Sequence, residues 1–189
     1  MPSVFLLIML FLLPWPCAGQ NIEVYFSPNG GCQQAVINEV KKATQTIDIA
    51  MYYLSSRDIA QALVKASGRH VRVRIVLDQG QEIESASKSG YLVKHGFEVR
   101  YHLGFGLMHN KFAIIDGQSL VTGSFNWTST AEERNEENLL VIDDQATIEK
   151  YQERFEYLWN TSRPDSRNAK GPEAFPAWFC ANFHLFCSN

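Results

Sequence analysis

The amino-acid sequence predicts a single α/β domain in which helices cover both faces of a mixed β-sheet. Apolar runs of strand length alternate with amphipathic segments of helical period through the first half of the chain, which is the pattern of that architecture. The 189 residues, 46% of them hydrophobic and 20% charged, are enough for one domain with a full core. The net charge of -3 argues against broad electrostatic attraction to nucleic acid, although a local basic patch can act within an acidic whole.

The first 19 residues are typical of a secretory signal peptide. They carry no charged side chain, and the apolar core Val4–Leu13 is followed by Pro14, Pro16 and small residues. This core is shorter than the roughly 20 residues that a membrane-spanning helix needs. We therefore expect export to the periplasm or the exterior. The alternative is an uncleaved membrane anchor, because no Lys or Arg precedes the core.

Three cysteines follow the predicted cleavage point: Cys32, Cys180 and Cys187. An exported chain would allow one disulfide among them, and the sequence leaves the pairing open. No two cysteines have the close spacing of a zinc site, so we predict no structural metal.

The first half of the chain is predicted to hold four strands and three helices. We expect the second helix to be capped by Ser55 together with Asp58, and we interpret Asp78, at the end of a strand, as a helix cap rather than a metal ligand. In chain order the predicted elements are strand 22–26, helix 32–43, strand 46–52, helix 58–67, strand 71–77, helix 82–95 and strand 97–101.

The second half adds a hairpin, a short strand and a long helix. Strands 109–116 and 118–122 are joined tightly at Asp116-Gly117, and strand 139–142 precedes an amphipathic helix over 145–160. Residues 161–173 have a linker composition. The aromatic tail over 175–186 is interpreted as a packing helix, with an interface element or a membrane-surface contact as alternatives.

Polar residues gather around the predicted hairpin in a way that a buried strand does not need. With strand alternation, His109 and Lys111 project from the same face, so an imidazole and an ammonium converge on one point suited to an anion. Asp116 lies an odd number of residues from His109, on the opposite face, and is not expected to orient the imidazole. Ser124 and Asn126 add hydroxyl and amide donors with the same two-residue spacing.

These residue types fit the chemistry of a phosphodiester. An imidazole can attack phosphorus, and the anionic oxygens need neutralising while charge moves to the leaving oxygen. Gly123 would let the backbone approach the phosphate closely. A carboxylate is still needed to fix the imidazole tautomer, and an acidic run lies just downstream. Its members are Glu132, Glu133, Glu136 and Glu137.

The pattern His109-x-Lys111-x4-Asp116 with Gly123-Ser124-x-Asn126 resembles the signature of the phospholipase D superfamily. The resemblance is closest to its small single-motif members, the exported bacterial endonucleases and the mitochondrial cardiolipin hydrolase or piRNA-processing nuclease. It implies a catalytic domain over residues 20–160, with residues 161–189 as linker and tail. It also implies the following roles: His109 as nucleophile, Lys111, Ser124 and Asn126 as phosphate-binding residues, Glu137 as the acid that holds His109, and Asp116 as a structural residue.

The same resemblance implies a reaction without a metal or other cofactor, and a homodimer. The mechanism needs a second imidazole as acid, and this chain has one motif, since no other histidine is followed by Lys two residues later. Single-motif members pair two chains about a twofold axis, so each His109 would serve its mate as nucleophile or acid.

The resemblance leaves two alternative classes of substrate. A nucleic acid is favoured because the mitochondrial proteins carry a Cys/His zinc insertion near the first strand, whereas here residues 28–32 pass straight into a helix. The alternative is a phospholipid such as cardiolipin, and the intact site disfavours a binding module without activity. Basic side chains are candidates to line a nucleic-acid groove, although the sequence does not place them there. They are Arg57, Lys65, Arg69, Arg72 and Arg74.

Overall fold

An eight-stranded mixed sheet forms the centre of the molecule in the computed structural model, which describes residues 21–168. The strand order is β1-β7-β6-β5-β2-β3-β4-β8; β2, β3 and β4 run parallel and every other neighbouring pair is antiparallel. The strands are β1 Ile22–Ser27, β2 Thr46–Met51, β3 Arg72–Asp78, β4 Glu98–His102, β5 Lys111–Ile115, β6 Ser119–Gly123, β7 Glu137–Ile142 and β8 Ser162–Pro164.

Helices lie on both faces of this sheet, as the sequence predicts. The helices are α1 Cys32–Lys42, α2 Arg57–Ser67, α3 Ser89–Lys94, α4 Ser129–Glu133 and α5 Gln145–Thr161, with 3-10 turns at Gln79–Glu82 and Ser166–Asn168. Strand β2 shows why both faces need cover. Ile47 and Ile49 pack into the core with α1 and α2, whereas Ala50 packs on the opposite face with Phe155 and Leu158 of α5.

A buried ion network ties α5 to the sheet. Arg74 of β3 donates Nε to Asp48 Oδ1 at 2.8 Å and Nη2 to Asp48 Oδ2 at 2.7 Å, and Nη2 also reaches Glu156 Oε1 of α5 at 2.6 Å. The guanidinium lies 4.8 Å from the ring centroid of Phe155. Because both charges of the Asp48–Arg74 pair are satisfied, the pair can be buried beneath the helix. Arg74 is therefore not available to line a groove.

Arg69 is also engaged structurally. Its Nη2 donates to the carbonyl oxygens of Val40, Lys41 and Ala43 at the end of α1, at 3.1 to 3.2 Å. A cation at a helix C-terminus satisfies carbonyl groups that have no partner within the helix. Two of the five basic candidates for a nucleic-acid groove thus stabilise the fold instead.

The structure corrects two sequence predictions about helices. Ser56, not Ser55, caps α2, and it accepts a hydrogen bond from Ile59 N at 3.3 Å. The helix predicted over 82–95 is shorter, because residues 83–88 are not helical and only Ser89–Lys94 forms α3.

The predicted linker is wrong for its first part. Ser162–Pro164 forms the edge strand β8, paired with β4, and the following Asp165 is fully buried. The Asp165 carboxylate accepts a hydrogen bond from Tyr101 Oη at 2.8 Å and pairs with Arg167. The folded domain therefore extends at least to residue 168 rather than ending at residue 160.

The predicted signal peptide over residues 1–19, the aromatic tail over 175–186, Cys180 and Cys187 lie outside the described residues. Cys32 is buried, and burial raises the pKa of its thiol to about 11. Within residues 21–168 no helix is both long and apolar enough to cross a bilayer.

Candidate active site

One edge of the sheet collects the residues that the sequence singled out. Lys111 opens β5, Glu137 opens β7, and Ser124 directly follows the end of β6. Because β6 runs antiparallel to both neighbours, its end lies beside their beginnings. Residues up to 28 positions apart in the chain therefore meet at one edge.

His109 and Lys111 converge there, as the sequence predicts. Lys111 Nζ lies 2.7 Å from His109 Nδ1 and donates to the His109 carbonyl oxygen at 2.8 Å. His109 precedes β5 rather than belonging to it, so strand alternation alone does not produce the contact. The imidazole is exposed to solvent, and Nε2 makes no hydrogen bond to any residue in 21–168. Nε2 is thus open to an incoming ligand.

Lys111 is the buried partner of this pair, only 9% exposed. Burial lowers the pKa of its ammonium, and the negative charge of Glu137 partly opposes that shift. An ammonium carries no lone pair, so a charged Lys111 can only donate to Nδ1, and the ring proton then sits on Nε2. In this arrangement Nε2 has no free lone pair, and nucleophilic attack requires Lys111 to leave Nδ1.

Glu137 is bound to the serine of the motif. Its Oε2 accepts the hydroxyl of Ser124 at 2.5 Å, and its Oε1 accepts Asn135 Nδ2 at 3.1 Å. Ser124 Oγ in turn accepts the backbone N–H of Asn138 at 3.0 Å. No hydrogen bond joins Glu137 to His109 within the described chain. The orienting role of Glu137 stays a prediction.

Asn126 presents an unpaired polar atom at this edge. Its Oδ1 is buried and has no hydrogen-bond partner among the described residues. Phe125 and Trp127 on either side are about 1% exposed and hold the loop in the core. Buried polar atoms without a partner are uncommon in folded proteins, and the oxygen and nitrogen of an amide can exchange places by a flip. The amide therefore has hydrogen-bonding capacity that the described residues leave unused.

Gly123 is required for a reason that differs from the sequence interpretation. Its φ is +149°, and a Cβ there would lie 2.3 Å from the carbonyl oxygen of Asn138 in β7. The absence of a Cβ thus permits a close approach between two strands of the sheet, and the approach of the backbone to a phosphate stays a prediction. Gly123 acts by letting β6 end against β7, which sets the position of Ser124.

Asp116 lies away from the imidazole, as the sequence predicts, although His109 and Asp116 both lie outside β5 and strand parity does not apply to them. Its carboxylate accepts the backbone N–H groups of Thr44, Gln45 and Thr46 and the hydroxyl of Thr44, each at 2.8 Å. Burial alone would raise the pKa of this carboxyl, but the hydrogen bonds outweigh it and the pKa is lowered. Asp116 joins the β5–β6 turn to the start of β2.

Comparison with known proteins agrees with this geometry. Residues 36–159 match the family model described as "Cardiolipin synthase, PLD-like domain". The chain belongs to the phospholipase D superfamily.

Two relatives illustrate the relationship within the superfamily. A mitochondrial cardiolipin hydrolase of Xenopus tropicalis is 37% identical over 125 residues, which are 66% of this chain and 60% of that protein. A phospholipase D of Rickettsia conorii is 37% identical over 131 residues, covering 69% of this chain and 66% of that protein. The chain thus spans about two thirds or less of the length of these relatives.

Two solved structures share the phospholipase D-like fold, and the superposition covers nearly the whole of each. The phospholipase D family member Nuc of Salmonella typhimurium superposes with a TM-score of 0.73 at 32% identity, covering 77% of this chain and 98% of that chain. NucT of Helicobacter pylori gives a TM-score of 0.74 at 27% identity, with 77% and 99% covered. The mixed sheet with helices on both faces is therefore the superfamily's fold.

Two residues beside the superfamily motif were not predicted to belong to the site. Asp78 caps the 3-10 turn after β3 by accepting Gly80 N at 3.0 Å, as expected, and it also accepts the backbone N–H of Met108 at 2.9 Å. The ring of Tyr52 lies 4.4 Å from that of His109, measured between centroids. Neither contact has a sequence signal, because each joins segments 30 or more residues apart.

The described residues include no group of three or more His, Cys, Asp or Glu side chains placed to hold a metal ion. The donors at the sheet edge are instead an ammonium, an imidazole, a hydroxyl and an amide. Such a set fits an anion better than a cation.

Proposed function

We propose that this chain cleaves nucleic acid without a metal, through a phosphohistidine formed on His109. The observation that carries the proposal is the pairing of an exposed imidazole with a buried ammonium at 2.7 Å, at the edge that also holds Ser124 and Asn126. A phosphodiester carries the negative charge that this set of hydrogen-bond donors is suited to bind.

The reaction begins with an exchange of partners at His109. A phosphate oxygen attracts Lys111 away from Nδ1, the ring proton moves to Nδ1, and Glu137 accepts it in a hydrogen bond. Nε2 then forms a bond to phosphorus while the bond from phosphorus to the leaving oxygen breaks, and that oxygen takes a proton from a second imidazole. Water next attacks the phosphohistidine, gives its proton to the same imidazole and releases His109.

The second imidazole comes from the mate in a homodimer. This chain has one His-x-Lys motif, so a twofold arrangement is the simplest way to supply the acid. Apolar side chains near the site support the pairing. Phe105 and Leu107 are exposed just ahead of His109, and Phe26 is 64% exposed in the edge strand β1, opposite Asn138. A mate seated over the site would remove these side chains from water.

Nucleic acid is the proposed substrate because the fold is compact around the first strand. Only residues 28–31 separate β1 from α1, which leaves no room for the zinc insertion of the mitochondrial proteins. Phospholipid is the second candidate. It is favoured by the exposed loop 103–107 and by the likeness to the Xenopus tropicalis cardiolipin hydrolase.

The test is to incubate the purified protein with plasmid, single-stranded DNA, RNA and cardiolipin vesicles, with and without EDTA. We expect nucleic-acid cleavage that EDTA leaves unchanged and that His109→Ala abolishes. His95→Ala is the matched control, because His95 is exposed at the end of α3 and its Nδ1 lies 2.8 Å from the Tyr91 carbonyl oxygen. Loss of cleavage with EDTA, or a largely active His109→Ala, contradicts the proposal. Lipid turnover without nucleic-acid cleavage replaces the first substrate with the second.

A further inference from the structure

We propose that Tyr52 is a positioning residue, whose ring holds the imidazole of His109 and the ammonium of Lys111 in register for reaction. The inference rests on the proposed function, in which His109 is the nucleophile and Lys111 binds the phosphate.

The backbone places Tyr52 beside the catalytic segment independently of its side chain. Tyr52 follows the last residue of β2, and Met51 is paired with Lys111 in the antiparallel β2–β5 ladder. The ladder continues one step further, because Tyr52 N donates to the Asn110 carbonyl oxygen at 2.8 Å. A substitution of the ring therefore leaves this hydrogen bond in place, and its effect reports on the ring itself.

The ring touches both functional groups. Its centroid lies 4.4 Å from that of the His109 imidazole at an interplanar angle of 47°. The same ring lies 5.0 Å from Lys111 Nζ, within the range of a cation–π contact. Its hydroxyl makes no hydrogen bond to any residue in 21–168, so the aromatic face is the part in use.

Little else fixes the two groups. The imidazole is exposed, its described hydrogen bond is to Lys111, and the Glu137 carboxylate is occupied by Ser124 and Asn135. Lys111 carries its ammonium on a four-carbon stem and also donates to the His109 carbonyl oxygen, a bond that does not orient the imidazole. When Lys111 leaves Nδ1 for a phosphate oxygen, the hydrogen bond between the two side chains is lost, whereas the contacts with Tyr52 can persist. The ring is thus the common support through the step.

The experiment compares Tyr52→Phe, Tyr52→Leu and Tyr52→Met in the full chain, with kcat and KM measured on a chromogenic phosphodiester. We expect Tyr52→Phe to stay within about twofold of the parent, because the ring face is kept. Without the ring, Tyr52→Leu and Tyr52→Met should each lose roughly tenfold in kcat with little change in KM or in the unfolding temperature. Two apolar replacements are used so that a folding defect in one does not decide the outcome.

A pH profile separates positioning from a general packing role. The ring face stabilises the charged ammonium, so the pH at which Lys111 loses its proton, followed by NMR of its labelled ε-carbon, should be lower in Tyr52→Leu than in the parent. Tyr53→Leu is the matched control, since Tyr53 is the half-buried neighbouring tyrosine without a contact to His109 or Lys111 among those described. It should leave both kcat and the titration of Lys111 unchanged.

Three results overturn the inference: wild-type kcat in Tyr52→Leu or Tyr52→Met, an equal loss in Tyr52→Phe, or a loss confined to KM. The failure of the proposed function looks different. If His109→Ala stays active, that function is wrong whatever Tyr52 does. If His109→Ala is inactive and the ring is dispensable, only the role of Tyr52 is wrong.

Discussion

Asp116 shows how a residue of a catalytic motif can stabilise the fold without touching the reaction. Its φ of +53° places it in the left-handed region, and its carboxylate accepts four hydrogen bonds from residues 44–46. Aspartate tolerates that conformation better than most side chains. These hydrogen bonds to the charged carboxylate hold the β5–β6 hairpin, which begins at Lys111, against residues 44–46.

We therefore expect Asp116→Asn to lose stability and to keep the activity of its folded fraction. The loss should be about 2 kcal/mol in unfolding free energy at neutral pH, because an amide offers a single neutral acceptor oxygen. The folded-state pKa of Asp116 lies below its ordinary value of 3.8, so its stabilisation is complete above that value and is lost as the pH falls through the folded-state pKa. Denaturant titrations at pH 7 and near pH 3 should show the mutant and the parent converging in acid.

The matched control is Asp58→Asn, an exposed aspartate in the first turn of α2, for which we expect a smaller loss. An Asp116→Asn protein as stable as the parent at pH 7, or one that folds normally and is inactive, would contradict this assignment.

At the scale of single residues, spacing predicted the meeting of His109 with Lys111 and the separation of Asp116 from both. The two-residue spacing carries the first part, although His109 lies just before β5 and strand alternation alone does not produce the contact. Spacing could not find Tyr52, because its ring reaches His109 from the residue after β2, 57 positions earlier. Nor could it anticipate that Ser124, rather than His109, occupies Glu137 in the described chain.

At the scale of elements, the site depends on how β6 ends against β7. Gly123 allows this ending through its positive φ and through the absence of a Cβ facing Asn138. The strand pair then orders Ser124, whose hydroxyl donates to Glu137 and accepts from Asn138 N, and whose backbone N–H donates to Asn138. The position of Ser124, the proposed phosphate-binding residue, is thus a property of two strands together.

Gly123→Ala should accordingly destabilise the fold by about 3 kcal/mol and displace Ser124, because a methyl group would collide with the Asn138 backbone. Gly117→Ala is the matched control, since Gly117 has a φ of +65° but open space where a Cβ would lie. It should cost only about 1 kcal/mol and leave activity intact. Thermal unfolding and kcat/KM measure both effects, and equal losses in the two variants would count against the strand-contact explanation.

The sequence predicts the boundaries of an element where its hydrophobic periodicity extends over many residues. It does not predict them where contacts with distant parts of the fold determine the element. The 17-residue α5 and the β5–β6 hairpin follow the sequence pattern closely. Strand β8 has three residues, one of them Pro164, and no alternation to detect. It exists because Asp165 and Arg167 anchor it to Tyr101 of β4, a contact that depends on the folded sheet.

At the scale of the whole molecule, the described chain holds one half of the proposed reaction. It supplies a nucleophile and phosphate ligands, and it leaves the acid to a mate. The sequence implied this through the resemblance and the single motif. No residue pattern reveals which surface a mate would cover, because exposed Phe26 in β1 and exposed Phe105 and Leu107 ahead of His109 come from segments far apart in the chain.

We expect the purified protein to be a dimer by light scattering and the two chains to be interdependent in activity. In a heterodimer of parent and His109→Ala chains, one imidazole is missing from the shared site. These heterodimers can be isolated by placing a different tag on each chain and purifying on both tags. We expect the His109→Ala heterodimers to be inactive and the His95→Ala heterodimers to be fully active. Half the parental activity in the His109→Ala heterodimer, or a fully active monomer, would contradict the shared site.

The most direct test of the central claim is to trap the covalent intermediate. The protein is mixed with substrate, quenched within the first turnovers under conditions that preserve phosphoramidate bonds, digested and examined by mass spectrometry. We predict a phosphoramidate adduct on the imidazole of His109 that still carries one of the two cleavage fragments through its remaining ester bond, at the same level with and without EDTA, and absent when Lys111 is replaced by Met. An adduct on another residue, or efficient cleavage with no adduct at His109, would contradict the account.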